Sequence, residues 1–318
     1  MSKVKVFIDG SEGTTGLRIN ERFEGRDDIE VLHINPDLRK DIDERRKMIN
    51  ASDYTFLCLP DAAAIEAVSL VENDHTVIID ASTAHRINPE WAYGLPELSK
   101  EFEEKIKTSK RIAVPGCYAS GFNMIVYPLV KMGIIGDDYP LAISAVSGYS
   151  GAGKKAIVLY EAEDKTNDLF APRQYALTQQ HKHLKEMKAI PALKKEPIFI
   201  PIVDDYYCGM IVNVPLHIDL MKKKMTPNEL RDALAEYYSA TGMPFIRVCE
   251  YGKEADYNGY LCGNELAGKD YAQILVTGND DRIVVSSMFD NLGKGASGAA
   301  VECLNISMGI DKATGLVI

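Results

Sequence analysis

The chain has 318 residues, with 36 basic and 46 acidic side chains for a formal charge of −10, and an isoelectric point near 5.2. This acidity argues against a nucleic-acid binder or a polybasic membrane binder, and no stretch reaches the ~20 apolar residues of a membrane span. With 46% hydrophobic and 26% charged residues, the composition is that of a globular protein long enough for one large domain or two.

The N-terminus runs straight into an alternating segment, with no basic-then-apolar leader. Short apolar runs at Val4 to Asp9, Glu30 to Ile34, Tyr54 to Leu59, Thr76 to Asp80 and Arg111 to Val114 predict strands separated by helix-like stretches. Such alternation predicts βαβ units and a parallel sheet. Asp61 to Glu72 carries Ala64, Ile65, Val68 and Val71 at helical spacing, and Glu101 to Lys107 predicts an exposed, charged helix. After Cys117 the pattern changes. Phe122, Ile125, Val126, Leu129 and Val130 predict a helix over Ala119 to Met132 with one buried face. Strand-like runs follow at Leu141 to Val146, Ile198 to Pro201, Met210 to Leu216 and Ile274 to Thr277, with a helix over Pro227 to Ala240. These predict a second, sheet-containing domain, and Asn291 to Met308 reads as a glycine-rich start leading into a closing helix.

Gly10-Ser11-Glu12-Gly13-Thr14-Thr15-Gly16 lies between the first strand and the first helix. Glycines there permit a tight turn and let helix N-terminal N–H groups approach a pyrophosphate. The spacing is G-x-x-G-x-x-G, so the motif alone is equally a plain strand-to-helix turn, and its place in the first βα turn favours a dinucleotide. The second strand ends in Ile34-Asn35-Pro36-Asp37-Leu38-Arg39-Lys40. The missing acid at the strand's end and the cations Arg39 and Lys40 favour the 2′-phosphate of NADP, while Asp37 keeps NAD open.

None of the six cysteines forms a C-x-x-C pair, which fits neither a zinc site nor a disulfide framework and predicts reduced thiols in a cytoplasmic protein. Cys58 lies inside an apolar run and reads as a core residue. Cys117 follows Pro115-Gly116 at a predicted helix start, where the dipole and unpaired N–H groups favour a thiolate nucleophile. Its proton partner is expected from His181 and His183, which share one face if that segment is extended. No further ligand supports the rival reading of a metal pair. His33, His75 and His217 read as structural or surface residues. Ser147 to Lys154 is a glycine and serine loop able to form a simple turn or to cradle a phosphate or carboxylate.

Taken together, these features resemble the short form of the N-acetyl-gamma-glutamyl-phosphate reductases. The matching residues are the Gly10, Gly13 and Gly16 turn, Leu59-Pro60-Asp61, Asp80-Ala81-Ser82-Thr83-Ala84-His85-Arg86, Pro115-Gly116-Cys117-Tyr118, Ser147 to Gly153, His181-Lys182-His183 with Glu186, and Asp290-Asn291-Leu292-Gly293-Lys294-Gly295-Ala296. Lys185 departs from the proline often found in the family. The resemblance implies an α/β fold with a Rossmann-like NADP-binding domain, residues 1–117 with 291–318. Residues 118–290 would form an α+β catalytic and dimerisation domain of the glyceraldehyde-3-phosphate dehydrogenase-like type.

It further implies NADPH-dependent reductive dephosphorylation of N-acetyl-L-glutamyl 5-phosphate in arginine biosynthesis, through a Cys117 thioester. Cofactor contacts are then expected from Gly10, Ser11, Gly13, Thr14, Thr15, Gly16, Arg39 and Pro60. The nicotinamide pocket maps onto Ser82, His85, Arg86, Asn291 and Lys294, and substrate contacts onto Ser147, Ser150, Gly151, Arg173 and Tyr175. Family members form homodimers or homotetramers through the second domain's sheet. The alternatives are aspartate-semialdehyde dehydrogenase, which usually has asparagine where Gly116 stands, and the carrier-linked reductase of lysine biosynthesis. A cofactor-free cysteine hydrolase or acyltransferase and a non-catalytic dinucleotide sensor belong to other classes.

Overall fold

The computed structural model describes residues 3–318. Four of the early apolar runs form β1 (Val4–Asp9), β2 (Ile29–Leu32), β3 (Tyr54–Leu57) and β4 (Val77–Asp80), joined by α1 (Thr14–Phe23), α2 (Ile42–Ala51) and α3 (Asp61–Ser69). With β5 (Ala92–Tyr93), α4 (Lys100–Thr108) and β6 (Arg111–Ala113) they complete a parallel six-stranded sheet ordered β2-β1-β3-β4-β6-β5. Both faces of such a sheet are covered, so its strands are apolar throughout: Phe56, Leu57, Ile78 and Ile79 are all fully buried. The chain leaves β1 for β2 on one side and returns to β3 on the other, so the C-terminal ends of β1 and β3 lie together. Open α/β sheets bind ligands at such a switch point. This first unit comprises the residues up to Pro96, Glu101–Pro115 and Ala296–Leu316. The closing helix, Gly298–Met308, packs on α1 and β4.

The second unit comprises Glu97–Lys100, Gly116–Gly295 and Val317–Ile318. It begins with α5 (Cys117–Lys131), which starts two residues before the predicted helix and makes Cys117 its first residue. Gly116 is the N-cap, in extended conformation. Pro128 lies inside α5 and cannot donate to the carbonyl of Met124; the buried Tyr238 hydroxyl donates to that carbonyl instead. The sheet contains β7 (Ala142–Gly148), β8 (Arg173–Gln174), β9 (Ile198–Asp204), β10 (Met210–His217), β11 (Ile246–Val248), β12 (Ala272–Gly278) and β13 (Arg282–Phe289), in the order β11-β12-β13-β10-β7-β9-β8. Its remaining helices are α6 (Lys154–Tyr160), α7 (Leu184–Ala189) and α8 (Pro227–Thr241). α8 opens on a Thr226/Glu229 capping box with Pro227 in its first turn.

α5 packs on β10 and β13, and α8 on β11 and β12. The strands alternate accordingly: in β9, Phe199 is 1% exposed and its neighbour Ile198 is 62% exposed. Ile198, Ile200 and Ile202 fall on one side of β9, with the latter two half-buried.

Candidate active site

In the first unit the glycine turn joins β1 to α1 at the switch point. Gly10 has φ +89°, and a Cβ there would lie 2.4 Å from the carbonyl oxygen of Cys58, just past the end of β3. A Cβ on Gly16 would lie 2.4 Å from the Gly10 oxygen. These two glycines are therefore required by the turn itself. Gly13 is different. Its backbone is extended, φ −73°, and its nearest contact for an added Cβ is an ordinary 3.4 Å. The fold leaves Gly13 unexplained, whereas a ligand lying on the turn accounts for it, so the turn fits a dinucleotide pyrophosphate. Gly10→Ala and Gly16→Ala are expected to cost about 2 kcal/mol or more of stability. Gly13→Ala should melt within a few degrees of wild type yet bind dinucleotide roughly tenfold more weakly, by thermal melts and calorimetric titration.

Several of the other expected cofactor residues of this unit have definite partners. Ser11 precedes Gly13 in the turn, and Thr14 and Thr15 begin α1. Arg39 pairs with Glu12 of the glycine turn, both half-exposed. Pro60 is the N-cap of α3 at the end of β3. The fully buried Asp80, ending β4, accepts hydrogen bonds from the Ser82 N–H (2.8 Å) and the Ser82 hydroxyl (2.7 Å). His85 Nδ1 lies 2.6 Å from the same carboxylate, and its ring stacks on Trp91 at 3.9 Å. Arg86 donates through Nε to the Val114 carbonyl (2.8 Å) and through Nη2 to that of Ala81 (3.0 Å), so its guanidinium braces backbone.

In the second unit, Cys117 lies half-buried at the positive end of α5, where the first N–H groups of a helix have no acceptor within it. The preceding Gly116 N–H donates to both oxygens of Glu186, at 3.1 and 3.0 Å, and Glu186 is 2% exposed. Glu186 belongs to α7, so this contact joins the nucleophile's turn to the helix that follows the histidines. The histidines come together by another route than the predicted one. They are not in a strand: His183 is the N-cap of α7, and a turn brings the two rings edge to face at 4.7 Å. The His183 N–H donates to His181 Nδ1 (3.2 Å), which places the neutral His181 proton on Nε2. Burial, and secondarily the Lys182 charge, pushes the His181 pKa down to about 4.

Tyr118 sits beside both imidazoles, 6.0 Å from each ring, with Tyr175 and Phe199 completing the cluster. Burial raises both tyrosine pKa values and keeps them as neutral hydroxyls. Tyr175 is among the substrate contacts expected from the sequence, whereas Tyr118, which follows the nucleophile directly, carries no expected role there. Cys58 has the opposite environment to a nucleophile, its thiol pushed up to about 12 by burial and then by Asp80 and Asp9.

The end of β7 and the turn that follows it hold three more expected residues. Ser147 is buried and donates to the Gly148 carbonyl (3.1 Å). Ser150 accepts from Asn291 Nδ2 (3.0 Å), while Asn291 Oδ1 accepts the Gly209 N–H (2.8 Å). Gly151 lies against the same Asn291 amide. Residues expected to divide between cofactor and substrate thus form one cluster, in which Ser147, Ser150 and Asn291 are buried. Arg173 is held at the sheet edge by Asp168 (2.9 Å) and the Tyr160 hydroxyl (3.0 Å). Lys294 is fully buried and ion-paired with Glu97, so its charge is used internally instead of at a surface. Nothing in the sequence marks Glu97. Among the described residues, no group of three or more His, Cys, Asp or Glu is placed to hold a metal ion, and no helix is long and apolar enough to cross a membrane.

A dinucleotide turn on a parallel sheet, followed by a cysteine at a helix start whose next residue, Tyr118, packs against two histidines, defines a class that comparison with known proteins names. Residues 5–108 match the family model of the semialdehyde dehydrogenase NAD-binding domain, and residues 117–291 that of the semialdehyde dehydrogenase dimerisation domain. The solved aspartate semialdehyde dehydrogenase II of Vibrio cholerae has a TM-score of 0.71 over 97% of this chain and 99% of its own, at 14% identity, a likeness of fold. N-acetyl-gamma-glutamyl-phosphate reductase 2 of Nostoc sp. is 42% identical over 99% of this chain and 100% of its own. The reductase of that name from Sinorhizobium medicae is 41% identical over 96% and 99%. The chain belongs to the N-acetyl-gamma-glutamyl-phosphate reductases, an enzyme family of the semialdehyde dehydrogenase class.

Proposed function

We propose that the protein reduces N-acetyl-L-glutamyl 5-phosphate to N-acetyl-L-glutamate 5-semialdehyde with NADPH, releasing phosphate, in cytoplasmic arginine biosynthesis. The observation that carries this reading is Cys117 as the first residue of α5, with the His181 and His183 rings packed around Tyr118 beside it. The Cys117 thiolate attacks the acyl carbon, the bond to the phosphate oxygen breaks, and a thioester forms. α5 N-terminal N–H groups face the oxyanion that develops during attack. A bound nicotinamide supplies the hydride that reduces the thioester. His181, with its proton on Nε2, donates a hydrogen bond to the substrate oxygen and holds the alkoxide that hydride addition leaves, until the carbonyl re-forms and the thiolate departs. Tyr118 and Tyr175, as neutral hydroxyls, orient the acyl chain.

The test follows NADP reduction with N-acetylglutamate semialdehyde and phosphate, beside aspartate semialdehyde and a carrier-linked analogue. Turnover of the acetylated substrate alone supports the reading; preference for either other substrate overturns it. Support for NADPH comes from Arg39, a cation that follows the second strand and reaches the glycine turn through Glu12. Arg39→Ala is expected to raise KM for NADPH roughly tenfold and leave that for NADH within about twofold, measured by initial rates. The half-exposed isoleucines of β9 support a homodimer or homotetramer built on that face of the sheet.

A further inference from the structure

The turn after β13 presses on the nucleophile. A Cβ on Gly295 would lie 2.9 Å from the Cβ of Cys117, 3.2 Å from Phe289 Cε2 and 3.2 Å from the Asp290 oxygen. Cβ is the root of the cysteine side chain and has no rotamer freedom, so this backbone forms a wall that fixes where the thiol begins. The wall is built into the second unit from several directions. The Asp290 carboxylate accepts the N–H groups of Leu292 (2.7 Å), Gly293 (3.1 Å) and Gly268, and the Gly295 N–H donates to the Asp290 carbonyl (2.9 Å).

Between these residues Lys294 turns inward to Glu97. Both side chains are fully buried, and the ammonium also lies 5.1 Å from the centroid of the buried Phe245 ring. Residues 294 and 97 are 197 positions apart, so the pair ties the turn to a distant part of the chain. Two charges removed from water hold each other only in a narrow geometry, and either alone would be strongly disfavoured there. A buried pair is poor at adding stability and good at fixing position.

We propose that Glu97, Lys294 and Gly295 are positioning residues for the reaction: the ion pair locks the backbone of residues 293–295, and the Gly295 backbone sets the placement of Cys117. Lys294 then acts through the thiol and makes no contact with the dinucleotide. The inference rests on Cys117 being the nucleophile.

Three variants test it: Gly295→Ala, which keeps both charges; Lys294→Met; and the double variant Glu97→Gln with Lys294→Met, which folds without an unpaired buried charge. The readouts are the rate of Cys117 alkylation by iodoacetamide across pH, assigned by peptide mass spectrometry without cofactor, and kcat with KM for NADPH. Each folded variant should alkylate Cys117 with a shifted pH profile or about tenfold altered rate, and lose roughly 10²-fold in kcat, with KM for NADPH within about twofold. A folded variant with the wild-type alkylation profile, or a defect confined to KM for NADPH, overturns the proposal. If Cys117→Ala retains turnover, the nucleophile assignment fails instead, and the alkylation profile still reports whether the wall positions the thiol.

Discussion

Replacing Cys117 with alanine is expected to lower kcat by roughly 10⁴-fold or more, because no other group can form the thioester. KM for NADPH should stay within about twofold of wild type, since glycine-turn contacts do not involve the thiol. Cys58→Ala is the matched control. Its thiol is held near 12 at the end of β3, so it is protonated at neutral pH, and its removal should change turnover by less than about twofold while costing some packing stability. Initial-rate kinetics on both variants separate a nucleophile from a half-buried cysteine held as the neutral thiol.

His181→Phe, which keeps an aromatic ring against Tyr118 and Phe199, should lower kcat by about 10² to 10³, the range for a lost hydrogen-bond donor to a developing oxyanion. The pH dependence has a definite sign. Burial holds the His181 pKa at about 4, below the ordinary histidine value near 6.5. The imidazole is neutral throughout the neutral range, so its protonation should remove activity only as pH falls toward 4. The unfolded chain binds this proton near pH 6.5, so the folded state loses stability as pH falls from 6.5 to 4. Chemical denaturation at pH 7 and pH 5 should therefore show a larger loss of stability for wild type than for His181→Phe.

The parallel sheet was legible because burial on both faces leaves uninterrupted apolar runs, as in Val77–Asp80. β13 was not, although it pairs along its whole length with β10. Its run contains Ser286 and Ser287, whose hydroxyls bond to Asn213 and to the Gly121 carbonyl, partners that only the folded chain supplies. β5 and β8 are two residues long, too short for any periodicity.

The site divides the same way. Cys117 announced itself through a Pro-Gly turn and an apolar helix, both local. The histidine pair was visible as residues but not in its geometry, because a turn, not strand alternation, joins the rings. Glycine types give no sign of their cause: Gly10 and Gly16 serve the fold, and only the space around Gly13 separates it from them. The acidic Glu97 looked like any surface carboxylate, and its burial against Lys294 depends wholly on tertiary structure.

The central claim is the covalent intermediate on Cys117. Mass spectrometry of the protein incubated with N-acetylglutamyl phosphate in the absence of NADPH tests it most directly. The thioester mechanism predicts an N-acetylglutamyl adduct on the peptide containing Cys117, absent from Cys117→Ala and discharged when NADPH is added. Steady turnover with no adduct at Cys117, or an adduct that persists after NADPH is added, would contradict it.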